Sequence, residues 1–170
     1  MGMSKKMNVV TVWIAVILWM FLILSFSSDS ADVSARKSGA VLDKVEPAIE
    51  RVEENLKTQI IADGRLHFYV RKNAHMFNYF VLTTLIMLAL RASGAKGARL
   101  YMAAWLLATA FSMTDEYYQT FIPGRSGEVR DVLVDNVGVV IGLMAGGLMG
   151  RKGANYAYTN QLANKASEGR

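Results

Sequence analysis

Residues 7–26 read MNVVTVWIAVILWMFLILSF, an apolar run without one charged side chain. A hydrocarbon core of about 30 Å takes roughly 20 such residues in a helix, so this run restricts the chain to architectures that a bilayer tolerates. Three further stretches approach the same length: 73–90, 100–121 and 131–149. Each carries polar residues near one end. The pattern predicts an all-α, polytopic membrane protein with four transmembrane helices, because in lipid every backbone polar group must be satisfied within its own segment or a closed barrel. A soluble bundle with buried helices is the competing architecture, and the short basic connections argue against it. Lys5 and Lys6 before the first run, and Val33-Ser34-Ala35 after it, also resemble a signal peptide with its cleavage site. The run exceeds the usual signal core, so it is read as a retained span.

Residues 27–70 separate the first two spans and are polar. Within them Val41, Val45, Ile49, Val52, Leu56 and Ile60 step by three or four, the period of an amphipathic helix. Ser38 or Gly39 is the expected start, Gly64 the expected end, and Pro47 is expected to kink or divide it. Such a helix lies along the membrane surface or against the bundle. Residues 1–150 thus form one membrane domain, and the polar, small-residue-rich stretch 151–170 is predicted to be a disordered cytoplasmic tail.

Orientation follows from Lys and Arg near the span ends. Lys5 and Lys6, then Arg91, Lys96 and Arg99, then Arg151, Lys152, Lys165 and Arg170 fall on alternate loops, with Glu168 as their one acidic companion. The opposite loops mix cations with more carboxylates. Both termini are therefore expected in the cytoplasm, with 27–70 outside. The net charge of +5 is explained by this asymmetry, and no basic stripe interleaved with aromatics indicates nucleic acid. With no cysteine, disulfides and thiolate metal sites are excluded.

This topology brings the polar ends of spans two, three and four to the outer side. Ionisable groups in spanning segments cost free energy and usually face a bundle interior or wet cavity. His75, Asn78, Tyr79 and Leu82 share one helical face, as do Ser112, Asp115, Tyr118 and Gln119. Asp131 and Asp135 continue the stripe Gly138, Gly142, Gly146, a close-packing pattern between membrane helices, so both aspartates are expected to point inward. Pro123-Gly124 predicts a tight reversal that holds Arg125 near Asp115, Glu116 and Asp131. The candidate ligand-binding set is Arg71, Lys72, His75, Tyr79, Asp115, Glu116, Gln119, Arg125, Arg130, Asp131, Asp135 and Asn136. A salt-bridged hairpin without any ligand accounts for the same spacing.

The segments RKNAHMFNYFVL (71–82) and DEYYQTFIPGRSGEVRDVLVDNVGVVIG (115–142) resemble the VanZ family of small bacterial membrane proteins. Asn78 stands where an acid is frequent in that family, and Tyr118 where a histidine is frequent. The resemblance implies a link to low-level resistance to teicoplanin, a lipid-tailed glycopeptide acting outside the membrane on cell-wall precursors.

Three functions are compatible with this reading. The first is a non-enzymatic protein of the cell membrane that binds an envelope lipid or lipoglycopeptide, or alters its presentation, through Arg71, Lys72, Arg125 and Arg130, with Asp115, Asp131 and Asp135 holding those cations in place. The second is an intramembrane enzyme acting on a lipid-linked phosphate or glycan, with His75 or Asp115 as general base; there, carboxylates with a histidine would be able to bind a divalent cation. The third is a small proton-coupled transporter or flippase, for which no inverted repeat speaks. The expected partner is the lipid bilayer, and no cofactor or metal is assigned from sequence.

Overall fold

A computed structural model of the chain describes residues 3–56 and 66–168, all of them in helices or the turns between. The helices are α1 (Met3–Ser27), α2 (Ala31–Leu56), α3 (Leu66–Ala92), α4 (Gly97–Gln119) and α5 (Val129–Glu168). Among the described residues there is no strand. Three segments among the described residues are long and apolar enough to cross a membrane: Val9–Ser27, Tyr69–Ala92 and Val129–Gly150. They coincide with three of the four expected spans.

The fourth expected span, 100–121, forms α4 but falls short of that apolarity. Its 23 residues reach about 34 Å at 1.5 Å per residue, so length is not what it lacks. The deficit comes from its inner face, where Thr109, Ser112, Asp115, Glu116 and Gln119 are buried. Its outer face carries Met102, Trp105, Leu106, Leu107 and Met113, all exposed.

α3 is the centre of the bundle and packs on all four other helices. Its most extensive partner is α5, and the reason lies in the predicted glycine stripe. A Cβ on Gly138 would collide with the Met76 carbonyl oxygen of α3, and one on Gly142 would stand 2.7 Å from the Phe80 carbonyl oxygen. Only a hydrogen on those α-carbons lets the two backbones approach this closely. Further along, the Arg91 guanidinium donates to the Gly146 carbonyl oxygen. Tyr79, Leu82, Ile86, Met87, Ala104, Ala108 and Val139 make up most of the apolar core, joined by Val16 and Ile23 of α1.

α3 ends in a Schellman arrangement: the Ala95 N–H donates to the Leu90 carbonyl and the Gly94 N–H to the Arg91 carbonyl, each at 2.9 Å. Gly94 takes φ +97° there, a left-handed conformation that favours glycine. The short link to α4 then forces antiparallel neighbours. At the other end of the bundle, Gly124 turns the chain with φ +74°, as the Pro-Gly pair predicted.

Two expectations are revised. α2 begins at Ala31, upstream of Ser38, and its helical path runs through Pro47 to Leu56. Of its predicted apolar stripe, Val41 lies on the described surface, while the side chains from Val45 onward and the end at Gly64 lie outside the described residues. The stretch 151–168, expected to be disordered, continues α5 as helix to Glu168. Its many alanines with Leu162, Gln161 and Lys165 are good helix formers, and no proline interrupts them. Polar composition alone concealed that propensity.

Candidate functional site

The polar residues collect at one end of the bundle, where α1 and α4 finish and α3 and α5 begin. α3 supplies a stair of side chains spaced by three or four residues: Arg71, His75 and Tyr79 on one row, with Lys72 beside them. Tyr79 is fully buried and its hydroxyl donates to Asp115 Oδ2 across 3.3 Å. The His75 Nδ1 lies 3.6 Å from Asp135 Oδ1, beyond hydrogen-bond range. Lys72 forms an ion pair with Asp131. Each of these contacts joins α3 to another helix, so the site is a tertiary product.

α4 contributes Ser112, Asp115, Glu116 and Gln119, spaced to fall on its buried face. The Ser112 hydroxyl donates to Asp135 Oδ2 at 2.6 Å, and the Thr109 hydroxyl donates to Asn136 Oδ1 at 2.8 Å. Glu116 fastens the turn that follows its own helix, since its Oε2 accepts the Glu128 N–H at 3.2 Å and its Oε1 accepts Gln119 Nε2 at 3.2 Å. Gly127 packs so close to the Glu116 carbonyl that no Cβ fits there. Arg125 donates to Gln119 Oε1 at 2.9 Å. Burial first, and the neighbouring Arg71 second, push the Arg125 guanidinium below its usual pKa range.

Buried polar atoms are nearly always hydrogen-bonded, because desolvation is otherwise uncompensated. Three depart from that rule here: Asp115 Oδ1, Asp135 Oδ1 and Arg125 Nε have no partner among the described residues. Asp115 and Asp135 are both fully buried. Removing what support remains should therefore be costly. Ser112→Ala, which leaves Asp135 without its hydroxyl donor, is expected to destabilise the chain by about 1–3 kcal/mol. Exposed Ser126→Ala serves as the control, and thermal unfolding in detergent is the measurement.

Two cavities adjoin this network. The larger, about 490 Å³, lies between α1, α2 and α3, with walls that are mostly apolar: Trp19, Leu22, Ile23, Phe26, Val41, Val70, Ala74 and Phe77. Its polar edge carries Asp29, Lys37, Arg71, His75 and Arg125. The smaller, about 100 Å³, is lined by Arg71, Lys72, His75, Gln119, Gly124, Arg125, Ser126, Glu128 and Asp131. Arg71, His75 and Arg125 belong to both. An apolar chamber thus meets a polar one across two guanidinium groups and an imidazole.

The structure sorts the predicted residues into three groups. Arg71, Lys72, His75, Gln119, Arg125 and Asp131 face a cavity. Tyr79, Asp115, Glu116 and Asp135 lie buried behind them. Asn136 bonds to Thr109 and to the Val132 carbonyl, locking α5 to α4, and exposed Arg130 lines neither cavity. The expected pairing of Arg125 with carboxylates is replaced by its bond to Gln119; among the described residues it makes no ion pair. Of the three aspartates expected to hold cations, Asp131 alone does so, among the described residues, through a side-chain ion pair with lysine or arginine. Tyr118, expected on the inner face, is exposed and meets Ser28 at 3.2 Å.

Sequence reasoning missed Ser27, whose hydroxyl accepts from Gln119 Nε2 at 3.4 Å, and the cavity walls given by α1 and α2. Ser34, Ser38 and Val41 do recur at helical spacing, but that spacing names no partner. Trp19, whose indole donates to the Asn78 carbonyl at 3.1 Å, is indistinguishable in sequence from exposed apolar neighbours such as Leu18 and Phe21.

No curated protein and no solved structure matches the chain. A family model described as VanZ/LLP1 matches residues 12–149, a span that contains every site residue named above, and by that match the chain belongs to the VanZ/LLP1 family.

Proposed function

We propose that the chain is a multi-pass protein of the bacterial cell membrane that binds an anionic, lipid-tailed molecule, an envelope lipid or a lipoglycopeptide such as teicoplanin, and alters its presentation at the outer face. The observation that carries this reading is the apolar cavity of about 490 Å³ edged by Arg71 and Arg125. Its walls suit an acyl chain, and the guanidinium forks suit a phosphate or carboxylate. In this reading α4 is a fourth span, supported by its apolar exposed face of Met102, Trp105, Leu106, Leu107 and Met113. Both termini are cytoplasmic by the distribution of Lys and Arg, so the cavity end faces outward.

The test is drug susceptibility in a Gram-positive host at matched membrane levels of wild type and Ala74→Trp. Ala74 lines the apolar cavity, and an indole there would fill space a lipid tail needs. Wild type is expected to raise the inhibitory concentration of teicoplanin and leave that of vancomycin unchanged, with Ala74→Trp returning teicoplanin to the empty-vector value. Equal protection by both proteins would remove the cavity from the explanation. A second reading, catalysis at a lipid-linked phosphate, draws on the approach of His75 to Asp135 beside the same arginines; release of inorganic phosphate from such a lipid would decide for it.

A further inference from the structure

We propose that His75, Glu116 and Asp135 form a binding site for a divalent transition-metal ion, Zn²⁺ or Mn²⁺. One donor atom from each lies within 4.8 Å of the other two, although the three residues come from α3, α4 and α5. The His75 Nδ1 to Asp135 Oδ1 separation of 3.6 Å is too long for a hydrogen bond. It is close to the edge of about 3.4 Å that two ligands of a tetrahedral site with bonds near 2.1 Å would show. Glu116 would complete the set after a small inward shift of its carboxylate.

The second observation is independent of the cluster. Asp135 is fully buried, and its Oδ1, the oxygen facing His75, accepts no hydrogen bond among the described residues. A His–Asp ion pair alone would be expected to close to hydrogen-bond distance and satisfy that atom. A cation between the two groups satisfies it without closure.

The surroundings have the form of a supporting shell. Ser112 holds Asp135 Oδ2 at 2.6 Å, which fixes Oδ1 toward His75. Gln119 and the Glu128 N–H hold the carboxylate of Glu116. Such outer contacts orient ligands and raise affinity. An imidazole with two carboxylates selects a first-row transition ion over Mg²⁺ or Ca²⁺, whose preferred ligands are all oxygen. Two carboxylates also neutralise a dication, and three protein ligands leave a coordination position open. His75 lines the small polar cavity, which gives the ion a route in. This inference stands whatever occupies the apolar cavity.

The experiment uses the full chain in detergent, with any affinity tag removed, stripped with chelator and then equilibrated with Zn²⁺ or Mn²⁺. Bound metal is read by mass spectrometry and the unfolding midpoint by intrinsic fluorescence. Wild type is expected to take up about one equivalent of at least one of the two ions and to unfold at higher temperature with it. His75→Ala and the isosteric Asp135→Asn are expected to weaken uptake at least about a hundredfold, and Ser112→Ala about tenfold. Neither ligand variant should show the metal-dependent rise in midpoint. The proposal is overturned if wild type binds neither ion, if His75→Ala and Asp135→Asn bind as wild type does, or if uptake is lost on His67→Ala instead. Should His75→Ala and Asp135→Asn not fold, wild-type uptake together with its weakening, about tenfold, in Ser112→Ala supports the site, and uptake unchanged in both Ser112→Ala and Glu116→Gln overturns it.

Discussion

Gly138→Val is expected to abolish the stable bundle, since among the described glycines none has a Cβ position closer to a neighbouring atom. The obstacle to a side chain at this position is backbone: besides the Met76 carbonyl oxygen, the Met76 carbonyl carbon would lie 2.9 Å and the Phe80 nitrogen 3.1 Å from the new Cβ. A rotamer change cannot relieve that contact, so α3 must move away from α5. Overpacking of this kind costs about 3 kcal/mol and more where neighbours cannot adjust. The displacement also separates His75 from Asp135, which lies one turn before Gly138 on α5. A graded series checks the cause. Gly142→Ala should be milder than Gly138→Ala, since its Cβ meets the Phe80 carbonyl oxygen at 2.7 Å and the Thr83 side chain at 2.8 Å. Gly146→Ala should be milder still, because its nearest contacts, the Met87 Cβ, Cγ and Cε, lie farther off at 3.0 to 3.3 Å and none of them is backbone. Unfolding midpoints in detergent, with exposed Val140→Ala as the control, should follow that order. Equal midpoints for the three alanine variants would show that the stripe does not set the helix spacing.

That stripe is also where sequence reasoning reached furthest. Three glycines at a four-residue period, preceded on the same face by two aspartates, specify a packed face whatever it packs against, so Asp135 could be placed in the interior before any partner was known. Asp131 shares the period but sits in the first turn of α5, where the bundle opens, and it is only partly buried against Lys72. Periodicity gives the face of a helix and says little about depth at its ends. The apolar runs of α1, α3 and α5 were legible for a similar reason: bilayer thickness sets a length that the sequence must meet. α4 is harder to read because its burial is divided by face, with carboxylates inside and tryptophan and leucines outside, and an averaged hydropathy cancels the two.

The cavity was not legible at all. It lies between α1, α2 and α3, with Trp19, Ser34 and Ala74 among its walls, and no spacing within one helix records how three of them meet. Arg125 shows the same limit on a smaller scale. The Pro-Gly turn correctly brings it back toward α4, yet one side chain's reach separates the carboxylate of Glu116 from the amide of Gln119, and the amide is what it meets. Glu116 is engaged elsewhere, holding the backbone of the turn itself. Competition among neighbours for one acceptor is decided by coordinates, and a motif cannot express it.

Loss of either cavity arginine is expected to reduce affinity for an anionic lipid by about ten- to a hundredfold, the equivalent of about 1.5–3 kcal/mol for a charge-assisted contact. The reasoning starts from their mutual environment. Arg71 and Arg125 line both cavities, and burial first and the neighbouring Arg71 second hold the Arg125 guanidinium below its usual pKa range. Guanidinium groups nonetheless stay protonated at neutral pH, so the pair is left with positive charge that Gln119 does not neutralise. The buried Arg125 Nε has no acceptor among the described residues. An anion between the two would supply that acceptor and relieve the repulsion. Binding of a fluorescent short-chain phosphatidylglycerol, set against its phosphatidylcholine counterpart, is the measurement, with the chain in a zwitterionic detergent. Arg71→Ala and Arg125→Ala should each weaken the phosphatidylglycerol probe. Arg125→Lys, which keeps charge but loses the planar fork, should fall between wild type and Arg125→Ala. Arg130→Ala should change nothing, because that side chain is exposed and lines neither cavity. If the two probes bind equally well to wild type, or if Arg130→Ala weakens binding as much as Arg71→Ala does, the arginine pair is not a headgroup site.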